Sequence, residues 1–418
     1  MPDTTEIPAT RTSGTYDAQS TAETGVELHY LSRSYLPSTT AASIHVAHMC
    51  QAFGEVGQPV TLYSWLGDGR RRLADDLGQS PSFRVRHIGW HRCHRLRWPI
   101  QRLAGVALAW RFRHVERAVF YGRNLYALTA IARRGLPVIF EMHKPPASQR
   151  ARAAFQQLIH APGFRALVVI SQALADAVQT DYPELLTNSV HVIHDAAPEA
   201  PAVKAAYELI AQRPRVIYAG SLHPGKGADT AIRLAARLPE CDFHIYGGNE
   251  DQIASLATQA PDNVRFHGHV DHATIMARLA DHDIALAPYG TSVKGEASYR
   301  HNGQSTDLAA WMSPLKLFEY MSAALPIITT DLPVLNEILT PGTTAEMTRP
   351  DDDEALYTAL RSFIDDPARR ARLGKAARSQ FEQGHSWSAR ARRLLPIIKG
   401  AAQMPADPSA SSERRSKE

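Results

Sequence analysis

The sequence predicts an α/β protein of two doubly wound, Rossmann-like domains facing a central cleft. Three observations lead there. A chain of 418 residues is too long for one ordinary core. Short β-rich runs alternate with helical patterns, the signature of parallel sheets covered on both faces. The alternation stops at an alanine- and proline-rich stretch, "DAAPEAPAVKAAYELIAQRP", and then restarts.

Residues 1–24 are polar and read as disordered, with no secretory signal. The first series of strands is "GVELHYL" (25–31), "PVTLYSW" (59–65), "FRVRHIG" (83–89), "AVFYGR" (118–123), "PVIFEMH" (137–143), "ALVVIS" (166–171) and "VHVIHD" (190–195). Between them lie segments such as "SIHVAHMCQAFGEVG", whose apolar residues recur near helical spacing. This defines a first domain over 25–198 and a linker over 199–213. The second series is "RVIYAG" (215–220), "DFHIYG" (242–247), "VRFHGHV" (264–270), "IALAPYG" (284–290) and "PIITTD" (326–331), giving a domain over 214–385. A last helix over 386–400 is expected to pack back on both domains, ahead of a disordered tail, 401–418.

Composition narrows the classes. The hydrophobic fraction of 44% fits packed domains. Three cysteines, far apart in sequence, give neither a disulfide framework nor a zinc spacing. No apolar run reaches the roughly 18 residues of a membrane span, so a soluble, cytoplasmic protein is expected. The net charge of +4 hides a block from Arg84 to Arg117 with nine arginines, four histidines and the single acid Glu116. It reads either as a solvated helical face or as a contact with an anionic membrane or acceptor. Nucleic acid is disfavoured, because no stacking aromatic motif accompanies the arginines.

Two stretches carry chemistry. In "YAGSLHPGKG" (218–227) Lys226 stands between two glycines at the carboxyl end of a strand, where such sheets bind ligands. In "SPLKLFEYMSAALPIITTD" (313–331) Ser313 is a plausible N-cap, Pro314 suits the first turn, and Leu315, Phe318 and Met321 form a buried stripe. The first turn exposes backbone N–H groups at the positive end of the helix dipole, an anion site. Glu319, beside the apolar stripe, either pairs with Lys316 or accepts hydrogen bonds from vicinal hydroxyls such as those of a ribose.

The ordered set "YAGSLHPGKG", "IYGGNE", "VRFHGHV", "IALAPY", "SPLKLFEYMSAALPIITTD" and "VLNEIL" resembles glycosyltransferase family 4, over roughly residues 214–390. The resemblance implies the GT-B fold and a retaining enzyme that uses a UDP- or GDP-sugar, with no metal required. It implies that Lys226 holds the donor diphosphate, Glu319 the ribose, and the backbone at Leu315 and Lys316 the distal phosphate. Gly220, Ser221, Gly247 and His269 fall on the matching loops. His143 matches the family's histidine near the reaction centre, and Ser38 to Ser43 lie where its first loop faces donor and acceptor. The acceptor implied is a saccharide or lipid-linked saccharide.

Two departures stand out. Ser221 replaces the family's usual arginine, and Arg123, His143 or Arg300 are candidates for the missing charge. Trp311 replaces a second glutamate, and Glu296, Asp307 or a backbone group are candidates for its contact. A nucleotide-sugar epimerase of similar build, or a catalytically weak nucleotide-sugar-binding protein, remain the alternatives. "PDDDEAL" reads as a helix N-terminus rather than a metal site. His45 and His48, like His91 and His94, have metal-compatible spacing but lack an evident third ligand, and read as surface or acceptor-side residues.

Overall fold

The computed structural model describes residues 25–38, 40–67, 72–90, 97–115, 117–203, 213–294 and 307–404. His91, His94, Glu116, Glu296 and Arg300 lie outside them.

Seven strands form the first sheet: β1 Glu27–Leu36, β2 Val60–Leu66, β3 Arg84–Trp90, β4 Ala118–Gly122, β5 Val138–Met142, β6 Phe164–Val169 and β7 Val190–Val192. Six form the second: β8 Arg215–Ala219, β9 Asp242–Tyr246, β10 Val264–Gly268, β11 Ile284–Ala287, β12 Ile327–Thr330 and β13 Glu346–Thr348. Their orders are β3-β2-β1-β4-β5-β6-β7 and β10-β9-β8-β11-β12-β13. Neighbouring strands run parallel, as in β1 with β4 and β8 with β11. In each sheet the order reverses at the first strand, so the ligand crevice is expected beyond the carboxyl ends of β1 and β4, and of β8 and β11.

The first-half helices are α1 Ala41–Glu55, α2 Leu73–Leu77, α3 Arg97–Arg111, α4 Leu125–Ala132, α5 Gln149–Ile159 and α6 Gln172–Asp181. The second half has α7 Ala228–Arg237, α8 Glu250–Ala257, α9 His272–Arg278, α10 Leu315–Ser322 and α11 Pro333–Asn336. The chain then continues into α12 Asp353–Asp365, α13 Pro367–Gly384 and α14 Trp387–Gln403. Asp352 caps α12 through the amide of Ala355, so the acidic run sits at a helix N-terminus as expected.

The last helix is built into the first half. Trp387, Ala391, Leu394, Ile398 and Ala401 join β1, β2 and α1 residues such as Tyr30, Leu62, Met49 and Phe53 in one buried cluster. Helix α1 is therefore enclosed between its own sheet and α14, which explains why His45 and His48 are buried rather than on the surface. Around α10 the cap differs from expectation. Pro314 is the N-cap and makes no side-chain cap bond, whereas the Ser313 hydroxyl accepts from the amide of Asp195. The serine ties the halves together instead of capping its helix.

Candidate active site

The loop that carries Lys226 is held by its glycines. Gly225 and Gly227 have φ of 76° and 98°, a region L-residues avoid. A methyl group on Gly225 would lie 1.8 Å from the Ser292 carbonyl oxygen, and one on Gly227 would lie 2.4 Å from that of Pro288. The strap 288–294 closes over this loop, with the Gly290 and Lys294 amides donating to the Gly225 and Pro224 carbonyls. Lys226 therefore projects from a fixed backbone. Its side chain is half-buried, and burial lowers its pKa to about 8.

A second lysine joins it. The Lys316 side chain is 8% exposed, and its ammonium lies 4.0 Å from the Tyr218 ring centroid and 5.0 Å from that of Tyr289. Lys226 Nζ stands 5.9 Å from the same Tyr289 centroid. Lys316 Nζ has no hydrogen-bond partner among the described residues. Burial first, then the charge of Lys226, holds its pKa well below the usual lysine value. Two desolvated ammonium groups facing one ring are costly to the fold unless an anion joins them. The sequence reading used only the backbone of Lys316; the structure adds its side chain next to Lys226, facing the same tyrosine ring.

The other residues expected on the donor side lie at the ends of the neighbouring strands β8, β9 and β10 and at the start of α10. Gly220 backs onto the Lys316 ammonium. Its amide donates to the Tyr246 carbonyl, and the Gly247 amide donates to that of Gly268. Ser221 and His269 are exposed at the ends of β8 and β10. Leu315 opens α10, so its amide and that of Lys316 belong to the turn without intrahelical acceptors. Glu319 is buried and does not hydrogen-bond Lys316: its Oε1 accepts from His272 Nε2 at 2.8 Å. His272 Nδ1 is in turn 3.0 Å from His48 Nε2, on the other half of the molecule.

On the amino-terminal side His143 belongs to a buried polar cluster. Its Nε2 donates to Glu141 Oε1 at 2.6 Å, and its Nδ1 is 4.0 Å from Asp195 Oδ2. Burial, then the charge of Arg123, lowers its pKa to about 4, so the imidazole is neutral at physiological pH. His45 Nε2 is 3.0 Å from Asp195 Oδ1 and 3.2 Å from Glu141 Oε1. The fully buried Arg390, from α14, donates to Glu141 Oε1 at 3.1 Å and to the His194 carbonyl at 2.9 Å. Tyr121 donates to the other Glu141 oxygen.

Burial alone would raise the Glu141 carboxyl, but Arg390, His45 and His143 hold it well below its usual range. Against the same penalty His143, His45 and Arg390 hold Asp195 down at about 2. One ligand atom from each of His45, Glu141, His143 and Asp195 falls within 4.8 Å of the others, a spacing that suits a divalent ion. The Arg390 guanidinium already supplies the cation these carboxylates face.

The departures acquire local reasons. Trp311 packs against the first-half core, and its carbonyl accepts from the Ser171 hydroxyl, so it serves the contact between halves. Asp307 accepts from the amides of Val293 and Ala309 and closes its own loop. Glu141, Asp195, His45, His48, His272 and Arg390 were missed by sequence reasoning. Apart from the His45–His48 spacing, nothing local in the sequence marks them.

A family profile described as "Glycosyl transferase-like" matches residues 229–396. The glycogen synthase of Mycobacterium tuberculosis (strain CDC 1551 / Oshkosh) is 29% identical over 196 residues, 44% of this chain and 43% of that protein. The "GDP-mannose-dependent monoacylated alpha-(1-6)-phosphatidylinositol monomannoside mannosyltransferase" of Corynebacterium glutamicum is 29% identical over 184 residues, 42% of this chain and 45% of that one. The match thus covers less than half the length of either relative. Among solved structures, Anabaena Alr3699/HepE in complex with UDP and glucose superposes with a TM-score of 0.66 at 16% identity, covering 89% of this chain and 99% of that one. The chain has the two-sheet, GT-B-like fold of this solved structure, and its residues 229–396 are glycosyl transferase-like in sequence.

Proposed function

We propose that the protein transfers a sugar, with retention of configuration, from a nucleotide-diphosphate sugar to an acceptor hydroxyl. The observation that carries this reading is the convergence of the Lys226 and Lys316 ammonium groups on Tyr289, beside the first turn of α10. Negative charge grows on the departing diphosphate, and fixed cations and amides in a dry site stabilise it strongly. Lys226 and Lys316 Nζ take the diphosphate, with the amides of Leu315 and Lys316 on the distal phosphate. Glu319 takes the ribose, and the Gly220, Ser221, Gly247 and His269 loops flank the nucleotide. Neutral His143, held by Glu141, orients the donor sugar or the acceptor rather than carrying a formal charge. UDP or GDP is the nucleotide favoured by the relatives, one named for GDP-mannose and one solved with UDP.

A melting-temperature panel with UDP, GDP, ADP and dTDP, followed by a transfer assay with the matching sugar nucleotide, tests the reading. A native-state ligand at about 100 times its Kd adds about 2.7 kcal/mol. One nucleotide is expected to stabilise the protein clearly more than the others; no shift with any of them would sink the proposal.

The acceptor we infer is anionic and presented at a membrane surface. Arg33 lies in the carboxyl-terminal half of β1, and Arg123 and Lys144 stand just past the ends of β4 and β5, the strands next to it in the sheet. Helix α3 supports the membrane part: Leu103 and Trp110 are 65% and 67% exposed, on one side of a helix that also exposes Arg102 and Arg111. A cavity of about 230 Å³ next to it is lined by Arg102, Val106, Ala130, Arg133 and Arg134. An exposed apolar stripe flanked by arginines suits the interface of an anionic bilayer. Among the described residues no helix is long and apolar enough to cross one. Flotation with phosphatidylglycerol vesicles at low salt should recover the protein, and Leu103→Ser/Trp110→Ser should reduce that recovery severalfold. Equal recovery with neutral phosphatidylcholine vesicles, or by the double variant, speaks against the contact.

A further inference from the structure

We propose that His272 is a positioning residue for Glu319, and that His48 fixes it from the other half of the molecule. The ribose contact would then be set by a chain of side chains crossing the boundary between the sheets. This rests on the reading of Glu319 as the ribose acceptor.

All three side chains are buried, and the links are short: 3.0 Å from His48 Nε2 to His272 Nδ1, and 2.8 Å from His272 Nε2 to Glu319 Oε1. An ionised carboxylate only accepts, so His272 Nε2 must carry the hydrogen. Its Nδ1 meets His48 Nε2, and one hydrogen between the two ring nitrogens completes the link. Burial, with His272 and His45 adding to it, holds the His48 pKa well below the usual histidine value, so His48 is neutral and either ring can supply that hydrogen.

Both rings are fixed by their surroundings. Trp387 of α14 stacks on His48, 5° from parallel with centroids 6.0 Å apart. His272 is the first residue of α9, whose N-cap Asp271 holds the Thr274 amide at 2.8 Å. One bond from His272 uses one of about four lone-pair sites on the carboxylate, and the rest can meet two vicinal hydroxyls. Glu319 thereby meets the nucleotide already oriented, which lowers the ordering cost of binding. Discrimination against a missing hydroxyl depends on such a fixed, desolvated acceptor.

The test is the affinity of the intact protein for UDP and GDP against their 2′-deoxy counterparts, measured by calorimetry. Wild type should prefer the ribonucleotide, and Glu319→Ala should lose the preference. His272→Ala should lower it about tenfold, the size expected for one hydrogen bond to a charged group. His272→Asn, whose side-chain amide can still donate, should restore part of it. His48→Ala should act in the same direction but less, and adding it to His272→Ala should change little, because the two act as one unit. An unchanged ribose preference in His272→Ala and His272→Asn, with Glu319→Ala having lost it, removes the relay and leaves the donor site standing. Retention of the preference in Glu319→Ala overturns the ribose role of Glu319 and the relay with it, whereas failure of wild type to bind either nucleotide overturns the donor reading itself.

Discussion

Lys226→Ala should lower turnover about 10²- to 10³-fold, the loss typical of removing one group aimed at developing negative charge. Its melting temperature without nucleotide should stay the same or rise, because the half-buried ammonium opposes folding. The sign of the pH effect follows from the lowered pKa. The unfolded chain holds this proton to about 10.5 and the folded chain only to about 8, so wild-type stability gains as pH climbs through that window. Any advantage of the alanine variant should shrink over the same window. Nucleotide affinity runs the opposite way, since the diphosphate needs the ammonium form, and wild-type binding should weaken above about pH 8. Turnover near wild type in Lys226→Ala, or affinity flat to pH 10, would falsify the diphosphate role.

Arg390→Met should be among the most damaging single changes. It leaves Glu141 and Asp195 buried without their guanidinium, and breaking such a pair costs about 3–5 kcal/mol. Urea denaturation monitored by far-ultraviolet circular dichroism should show a lower midpoint. Activity in the surviving folded fraction should also fall, because His143 donates to the same Glu141 oxygen. The double variant Arg390→Met/Glu141→Gln, which removes the uncompensated carboxylate, should recover part of the stability without the activity. A midpoint within about 0.5 kcal/mol of wild type, the range of ordinary surface substitutions, would mean that the cluster is not held by Arg390.

What the sequence made legible was whatever depends on neighbours. The strands of both sheets came from local alternation, and most boundaries moved by one to three residues. The three-residue β13 is too short to show a period, and β1 runs on to Leu36, past the expected end at residue 31. The Lys226 loop was legible because glycines, lysine and the following helix are adjacent in the chain. The amino-terminal cluster was not, because Glu141 and Arg390 lie 249 positions apart and only the fold brings them together. His45 and His48 read as surface or acceptor-side residues since nothing near them announces that a distant helix will cover theirs. Ser313 had the right residue type for a cap, but tertiary structure gave its hydroxyl to the Asp195 amide. Lys316 followed a similar rule: the sequence placed its backbone, while packing against Tyr218 and Tyr289 decided where its ammonium went.

The position of α14 has a consequence for how the protein is made. Domains commonly mature in order as the chain leaves the ribosome. Here the amino-terminal sheet and α1 emerge early, yet the residues that seal them, Trp387 and Arg390, are translated after the entire second sheet. Until then His45, His48 and Glu141 have no cover and no counter-charge from α14. The first half of the molecule must wait, partly open, until the second sheet and α14 have been made, so the buried cluster around Glu141 closes only after both sheets exist.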